Sequence, residues 1–329
     1  MRLNVRFSRL AWALAACAAA AWLPSSYAQS FPSKPVRITT PFPVGSGPEG
    51  VLRLLAEKLS KQWGQPVVVD SKPGGNGFIA VDQFKRGAQD GHELLQLDTA
   101  HITVYPHLFK RLPYDVTSDF EPIYPLFKTY FFMATAADGK YTSVQDVLSD
   151  ARAKPGKLNY GSWSVGNPVH LGSALLEALT HTEMQHVIYK ETSQLYTAVA
   201  TGELAYAFGT AATTGPLYRA GKLKYLAVAA PQRVAGFADV PTVTEAGGPK
   251  GFEVVGGTLI VAPKGLSAAW RQKLAKDIEQ ALNDPEMKAK YQAFGYESFR
   301  LSGHTLAQYL DKESAKQADV VKKAKAQLD

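Results

Sequence analysis

Gly45, Gly47 and Gly50 fall in a G-x-G-x-x-G spacing, between the strand-like run "VRITTPF" and a helix-like run that starts at Pro48. About twenty residues on, "PVVVD" ends in Asp70, where a dinucleotide-binding fold keeps the acid that holds a ribose. The physical content of such a loop is anion binding. Small residues expose backbone N–H groups, and the following helix turns its positive end to the same place. A nucleoside triphosphate loop would need lysine after the last glycine, and Val51 stands there. A pyrophosphate site is also poorly served. Pro41 and Pro43 interrupt the run into the first glycine, and Pro48 removes an N–H from the helix start. A cofactor-dependent oxidoreductase is therefore a remote reading. No cofactor is expected.

Other chemistry is sparse. No G-x-S-x-G elbow occurs. His181, Glu183 and His186 are close in sequence but straddle a turn into a strand and lack an i,i+4 pair, so they are expected to be surface groups, not metal ligands. In "DTAH", Thr99 closes a strand and offers a hydroxyl either to a ligand oxygen or to a helix cap. His170, at the start of a helix, is expected to support its loop. No catalytic residue and no metal site emerge.

The first 28 residues have their own character. "MRLNVRFSR" carries three arginines and no acid, "LAWALAACAAAAWL" is apolar but short for a membrane span, and small residues stand at Ser26 and Ala28. This pattern is that of a secretory signal peptide cleaved after Ala28. The single cysteine, Cys17, lies within it, so the mature chain would have no thiol for catalysis or disulfides. "LAAC" also resembles a lipoprotein processing box, which would instead leave Cys17 as a lipidated N-terminus. Either route exports the protein, to the periplasm in a two-membrane bacterium and away from the cytoplasmic nicotinamide pool. Losing the three arginines would take the net charge of 329 residues from +7 to +4. The remaining basic residues are scattered with no aromatic-interleaved stripe, so no nucleic-acid partner is expected.

The elements around the glycine loop alternate. After "VRITTPF" comes a helix from Pro48 to Trp63, with Val51, Leu54, Leu55 and Leu59 on one face and Gly64 as its stop. "QPVVVD" and "HELLQLD" are strands separated by "SKPGGNG" and the helix "FIAVDQFKRG". This is a βαβαβ order, which implies a parallel doubly wound sheet. "PIYPLFKTYFFMATA" reads as one long strand. Then "TSVQDVLSDARAKPG", capped by Thr142 or Ser143, starts a second α/β series. Its strand "KLNYGSWSVGN" ends in another small-residue loop. "GFEVVGGTLIVAPKG" is a late strand, and three helices finish the chain.

The loop "PFPVGSGPEG" followed by "VVVDSKPGGNG" resembles the P-F-P-P-G-G-G-T-D and V-E-N-R-P-G-A-G-G motifs of tripartite tricarboxylate transporter receptors, the Bug-type solute-binding proteins. The likeness continues through "LFKRLPYDVTSDFEPI", "KPGKLNYGS", "HVIYK", "AGKLKYLAV", "DVPTVTEAGG" and "ALNDPEMKAK". The resemblance implies a two-lobed α/β periplasmic clamshell, each lobe a doubly wound sheet flanked by helices. Residues 29–126 and 255–329 would form one lobe and 127–254 the other. It implies a monomeric receptor that closes on a small carboxylate and delivers it to membrane transporter subunits, or alternatively presents it to a sensor ectodomain. The residues carried over as ligand contacts are Phe42, Pro43, Gly45, Ser46, Gly47 and Glu49 in the first loop, and Thr99. The second lobe contributes Trp163, Ser164, Val165, Gly166 and Thr210. Asp70 would be a turn cap.

This member diverges. The family's Thr-Asp at the helix start is Pro48-Glu49. Its Y-G-S-S-G-N-G-S-S-G-H is "YGSWSVGNPVH", and its F-D-N is "FGT" at Phe208 to Thr210. Trp163 and Val165 bring apolar bulk where polar partners are lost, and Gly209 replaces an acid. The expectation is a carboxylate ligand with an apolar, even aromatic, body.

Overall fold

The glycine loop is fixed by the ends of buried strands. β1 (Val36–Thr40) pairs in parallel with β2 (Val67–Ser71) and with β3 (Glu93–Asp98). Between β1 and β2 runs the helix Gly47–Trp63, which buries Val51, Leu52, Leu55 and Leu59 against the sheet and ends on Gly64 in the left-handed conformation, φ 66°. The computed structural model describes residues 31–324 together with Ala326 and Leu328. The expected signal peptide, Cys17 and the Ala28–Gln29 junction lie outside the described residues.

Parallel pairing stops at β3. β10 (Val255–Pro263) runs antiparallel to both β3 and β4 (Phe120–Tyr130), and the short β11 (Tyr296–Glu297) adds antiparallel to β4. The six-stranded order is β11-β4-β10-β3-β1-β2. A second group holds β5 (Phe132–Ala136) between β8 (Ala207–Gly209) and β9 (Leu223–Val228), all antiparallel. β6 (Asn159–Ser162) and β7 (Gln185–Ile188) pair in parallel and reach β8 through a bridge from Tyr160 to Tyr206.

The antiparallel strands have a topological cause. The run read as one long strand from Pro122 is two strands, β4 and β5, in different sheets. The chain changes sheet at Phe131, whose N–H donates to Val254 O and whose carbonyl accepts from Ala229 N–H. It returns through Val254 into β10, alongside its outward path, with Val255 opposite Tyr130. Strands that cross the same junction in opposite directions must pair antiparallel, so the sheet is mixed where the alternating pattern implied parallel strands. β4 stays in the first sheet through Tyr130, beyond the Leu126 boundary expected from the sequence.

Each sheet has its own core. Leu95, Leu97, Phe120 and Leu259 pack on one face of the first. The second is filled by two clusters, one around Tyr160, Val169, Phe208 and Phe252, the other around Phe132, Tyr196, Val228 and Val234. From Lys34 onward the chain forms one compact unit. Among the described residues no helix is long and apolar enough to cross a membrane.

Candidate functional site

A buried polar network sets the first loop. Thr40 Oγ1 donates to Gln96 Oε1 at 2.6 Å, and Gln96 Nε2 donates to Pro48 O at 3.1 Å. Thr40 Oγ1 also accepts from Phe42 N–H at 3.3 Å. Thr40 and Gln96 are fully buried, so β1 and β3 together hold both ends of the loop. Ser46 N–H donates to Pro43 O at 3.1 Å, closing a turn that leaves Pro43, Val44 and Gly45 exposed, with Phe42 half-buried. Gly45 needs to be glycine here, because its φ is +82°.

Two expected contacts already have partners within the protein. Glu49 is 2% exposed. Its Oε2 accepts from Gly45 N–H at 3.2 Å and its Oε1 from Arg53 Nε, so the carboxylate braces the loop from inside. Gly45 N–H is consumed by the same bond and is not a donor to an incoming anion. What remains is Ser46 and Gly47. Ser46 is the N-cap of the helix but makes no capping bond, and its Oγ is buried with no hydrogen-bond partner. The N–H groups of a first helical turn have no acceptor within the helix.

The second loop is braced by a different network. Ser162 Oγ donates to Ser164 O at 2.9 Å and lies 2.6 Å from His186 Nε2. Asn167 caps the helix Pro168–Thr180 through bonds from Val169 and His170 N–H, and its amide reaches back to Ser162 Oγ at 3.2 Å. Gly166 N–H donates to His170 Nδ1 at 3.0 Å, the supporting role expected for His170. Burial, and then the charge His186 would carry, hold His170 down to about 4, so it is neutral. His186 packs 4.3 Å from the His170 ring and stacks on Tyr160, while His181 ends the preceding helix, exposed, with φ 50°. Trp163, Ser164 and Val165 are half-buried, and Trp163 also packs on both core clusters of the second sheet. Thr210 caps the helix Ala211–Arg219, its Oγ1 3.0 Å from Thr213 Oγ1.

Elements of the two sheets meet on either side of these loops. A methyl placed on Gly47 would lie 3.0 Å from Ala212 Cβ, and one on Gly295 would lie 3.4 Å from Ala211 Cβ. On the other side, Gly166 abuts Leu108, and Leu171 packs with Ala100, Val104 and Leu108. Thr99 stands at this second flank, half-buried. Its N–H donates to Gly257 O, and its hydroxyl makes no capping bond. The cap belongs to Asp98, whose Oδ1 accepts from Ala100 N–H at 2.8 Å. Burial raises that carboxyl to about 6. Asp70 is not a turn cap: its Oδ2 accepts from Gln83 Nε2 at 2.6 Å and ties β2 to the helix Phe78–Lys85.

Residues 51–326 match the family described as the tripartite tricarboxylate transporter family receptor. The chain belongs to that family. Among solved structures, a Rhodopseudomonas palustris protein, Rpa4515 with adipate, is similar with a TM-score of 0.83 at 26% identity over 91% of this chain and 100% of that one. The periplasmic binding protein BugD is similar at 0.79 and 25% identity, over 90% and 99% of the two chains. MatC from R. palustris, with bound malate, is similar at 0.78 and 26%, over 88% and 100%. The receptor therefore has the two-lobed periplasmic-binding-protein fold, and the two loops lie where its two sheets approach. Gln96 escaped the sequence reading, though a glutamine inside the apolar run "ELLQLD" was a visible signal. Tyr296 left no such signal.

Proposed function

We propose that this receptor is an exported solute-binding protein that captures a small carboxylate with an apolar body between its lobes, closes on it, and delivers it to a tripartite membrane transporter. The observation that carries this reading is Ser46: a buried hydroxyl without a partner, at the start of a 17-residue helix, beside the start of the helix Ala211–Arg219. Two helix N-termini and a hydroxyl favour an anion without any lysine or arginine. The candidate contacts Phe42, Ser46, Gly47, Thr99, Trp163, Val165 and Thr210 include no cation.

The second wall favours an apolar body. A side chain on Gly209 would meet Tyr196 Oη at 2.6 Å and Thr214 Cγ2 at 2.5 Å, so no acid fits there to pair with a ligand amine. Ser162, Asn167 and Thr210 spend their polar groups within their own loops and helix caps. An unpaired polar group on the ligand would cost about 1–3 kcal/mol at such a wall, whereas apolar surface gains about 25 cal/mol per Å² buried. The similar proteins solved with adipate and with malate support a carboxylate, and adipate is the better match to this wall.

Among the described residues the chain passes between the sheets at Phe131 and at Val254, side by side, which suits rotation of two rigid lobes. Calorimetry with adipate, benzoate, citrate and aspartate, paired with small-angle scattering, tests the reading. Binding of adipate or benzoate with compaction is expected. Tight binding of citrate or aspartate would refute the apolar wall, and an unchanged radius at saturation would refute closure.

A further inference from the structure

Tyr296 stands outside everything the sequence singled out. It begins β11, and its ring is stacked on Phe127 at 3.9 Å and 6° between planes, with Tyr291 and Phe294 edge-on around it. Pairing of Tyr296 with Thr129 on β4 fixes the backbone as well. The residue is 7% exposed, so the ring has one orientation. That orientation carries the hydroxyl to the start of the first loop's helix: a methyl on Gly47 would fall 2.4 Å from Tyr296 Oη.

The hydroxyl has no hydrogen-bond partner among the described residues, whereas three other buried tyrosines have backbone partners. Tyr114 donates to His101 O, Tyr196 to Phe208 O and Tyr291 to Leu126 O. A tyrosine at a site where phenylalanine would stack equally well is not explained by packing, and its hydroxyl is left free to meet a ligand. The neighbouring residue adds a second such group, the unpaired Ser46 Oγ. Two unpartnered hydroxyls thus flank Gly47, one from the loop and one from the far C-terminal part of the chain, at the point where Ala212 of the second lobe closes against them.

We propose that Tyr296 is a ligand-binding residue of this receptor, its hydroxyl acting with Ser46 Oγ as paired donors to a ligand carboxylate oxygen. The proposal rests on the reading of the protein as a carboxylate receptor. It also explains Gly47, whose φ is ordinary: the phenol occupies the space of its Cβ, so a side chain at 47 and a hydroxyl at 296 exclude each other. Burial raises the phenol above its usual range, so it is protonated and a donor at all relevant pH.

Tyr296→Phe keeps the ring and its stacking and removes only the donor. With adipate and benzoate as probes, calorimetry is expected to show affinity reduced by about tenfold or more, the loss typical of a hydrogen bond to a charged group. The melting temperature of the ligand-free variant should be unchanged, because the ring and its stacking on Phe127 remain. Ser46→Ala should lose a similar factor, and the double variant should lose less than the product of the two if both donors serve one oxygen. Wild-type binding with undiminished affinity in Tyr296→Phe would overturn the proposal and leave the carboxylate reading standing. Failure of the wild type to bind either probe at millimolar concentration would overturn both.

Discussion

Gln96→Leu removes the centre of the network beneath the first loop while keeping most of the volume. The side chain is fully buried and makes two good bonds, accepting from Thr40 Oγ1 and donating to Pro48 O, with a long third to Thr258 Oγ1 at 3.4 Å. Leucine leaves the Thr40 proton without its acceptor and takes a second donor from the Pro48 carbonyl, which keeps the helical bond from Leu52 N–H. With one buried group stranded, the expected loss is about 1–3 kcal/mol; the bond Thr40 accepts from Phe42 N–H is kept. With an unfolding entropy of about 2.1 cal/mol/K per residue over roughly 300 residues, that is a fall of about 2–5 °C in melting temperature. Pro48 belongs to the first turn that carries Ser46 and Gly47, so affinity for adipate should fall as well. Thr40→Val alone should destabilise, but Thr40→Val/Gln96→Leu should cost about 1 kcal/mol less than the two singles combined, because both ends of the 2.6 Å bond leave together. Calorimetric melts of the four proteins give this cycle. Strict additivity, or a Gln96→Leu protein with unchanged melting temperature and affinity, would refute the assignment of this network as the loop's support.

Trp163→Ala should weaken an apolar carboxylate by tenfold or more. It should also lower the melting temperature by a few degrees, since the indole touches both core clusters of the second sheet; unchanged affinity in calorimetry would remove Trp163 from the ligand wall. Acid should destabilise the protein between about pH 6.5 and 4. Burial holds His101 and His170 down to about 4, so in that window the unfolded chain binds protons that the folded one does not. Asp98, raised to about 6, acts in the opposite sense over the same window, so Asp98→Asn should make the acid loss steeper; melts from pH 7 to 4.5 with a shallower slope in the variant would contradict this. Mass spectrometry of the exported protein should find Gln29 at the N-terminus, and a diacylglyceryl group on Cys17 would replace that with a membrane-anchored form.

Much of the first lobe was legible because its cues are local. The glycine spacing, Pro48 at the helix start, the apolar face of Val51 to Leu59 and the stop at Gly64 all act within a few residues, and the helix forms where they place it. Ser143 as a cap, with Asp146 completing a capping box, is of the same kind. Family membership was also written in the order of short motifs along the chain. The strand that broke at Phe131 was not legible, since β4 and β5 share one apolar pattern and only the return of the chain at Val254 divides them.

The site divides along the same line. The expectation of an anion at the first loop followed from glycines before a helix. Which donors are free to meet it depends on bonds made elsewhere. Glu49, a natural dipole partner on paper, turns back to Gly45 and Arg53. Gln96 comes from a strand 48 residues away to hold Pro48. Tyr296 is nearly 250 residues from Gly47 in the chain and touches it because β11 lies on β4 and its ring stacks on Phe127. Periodicity and capping report the forces a residue feels from its near neighbours. Which hydroxyl is left unpaired is settled only when distant elements have packed.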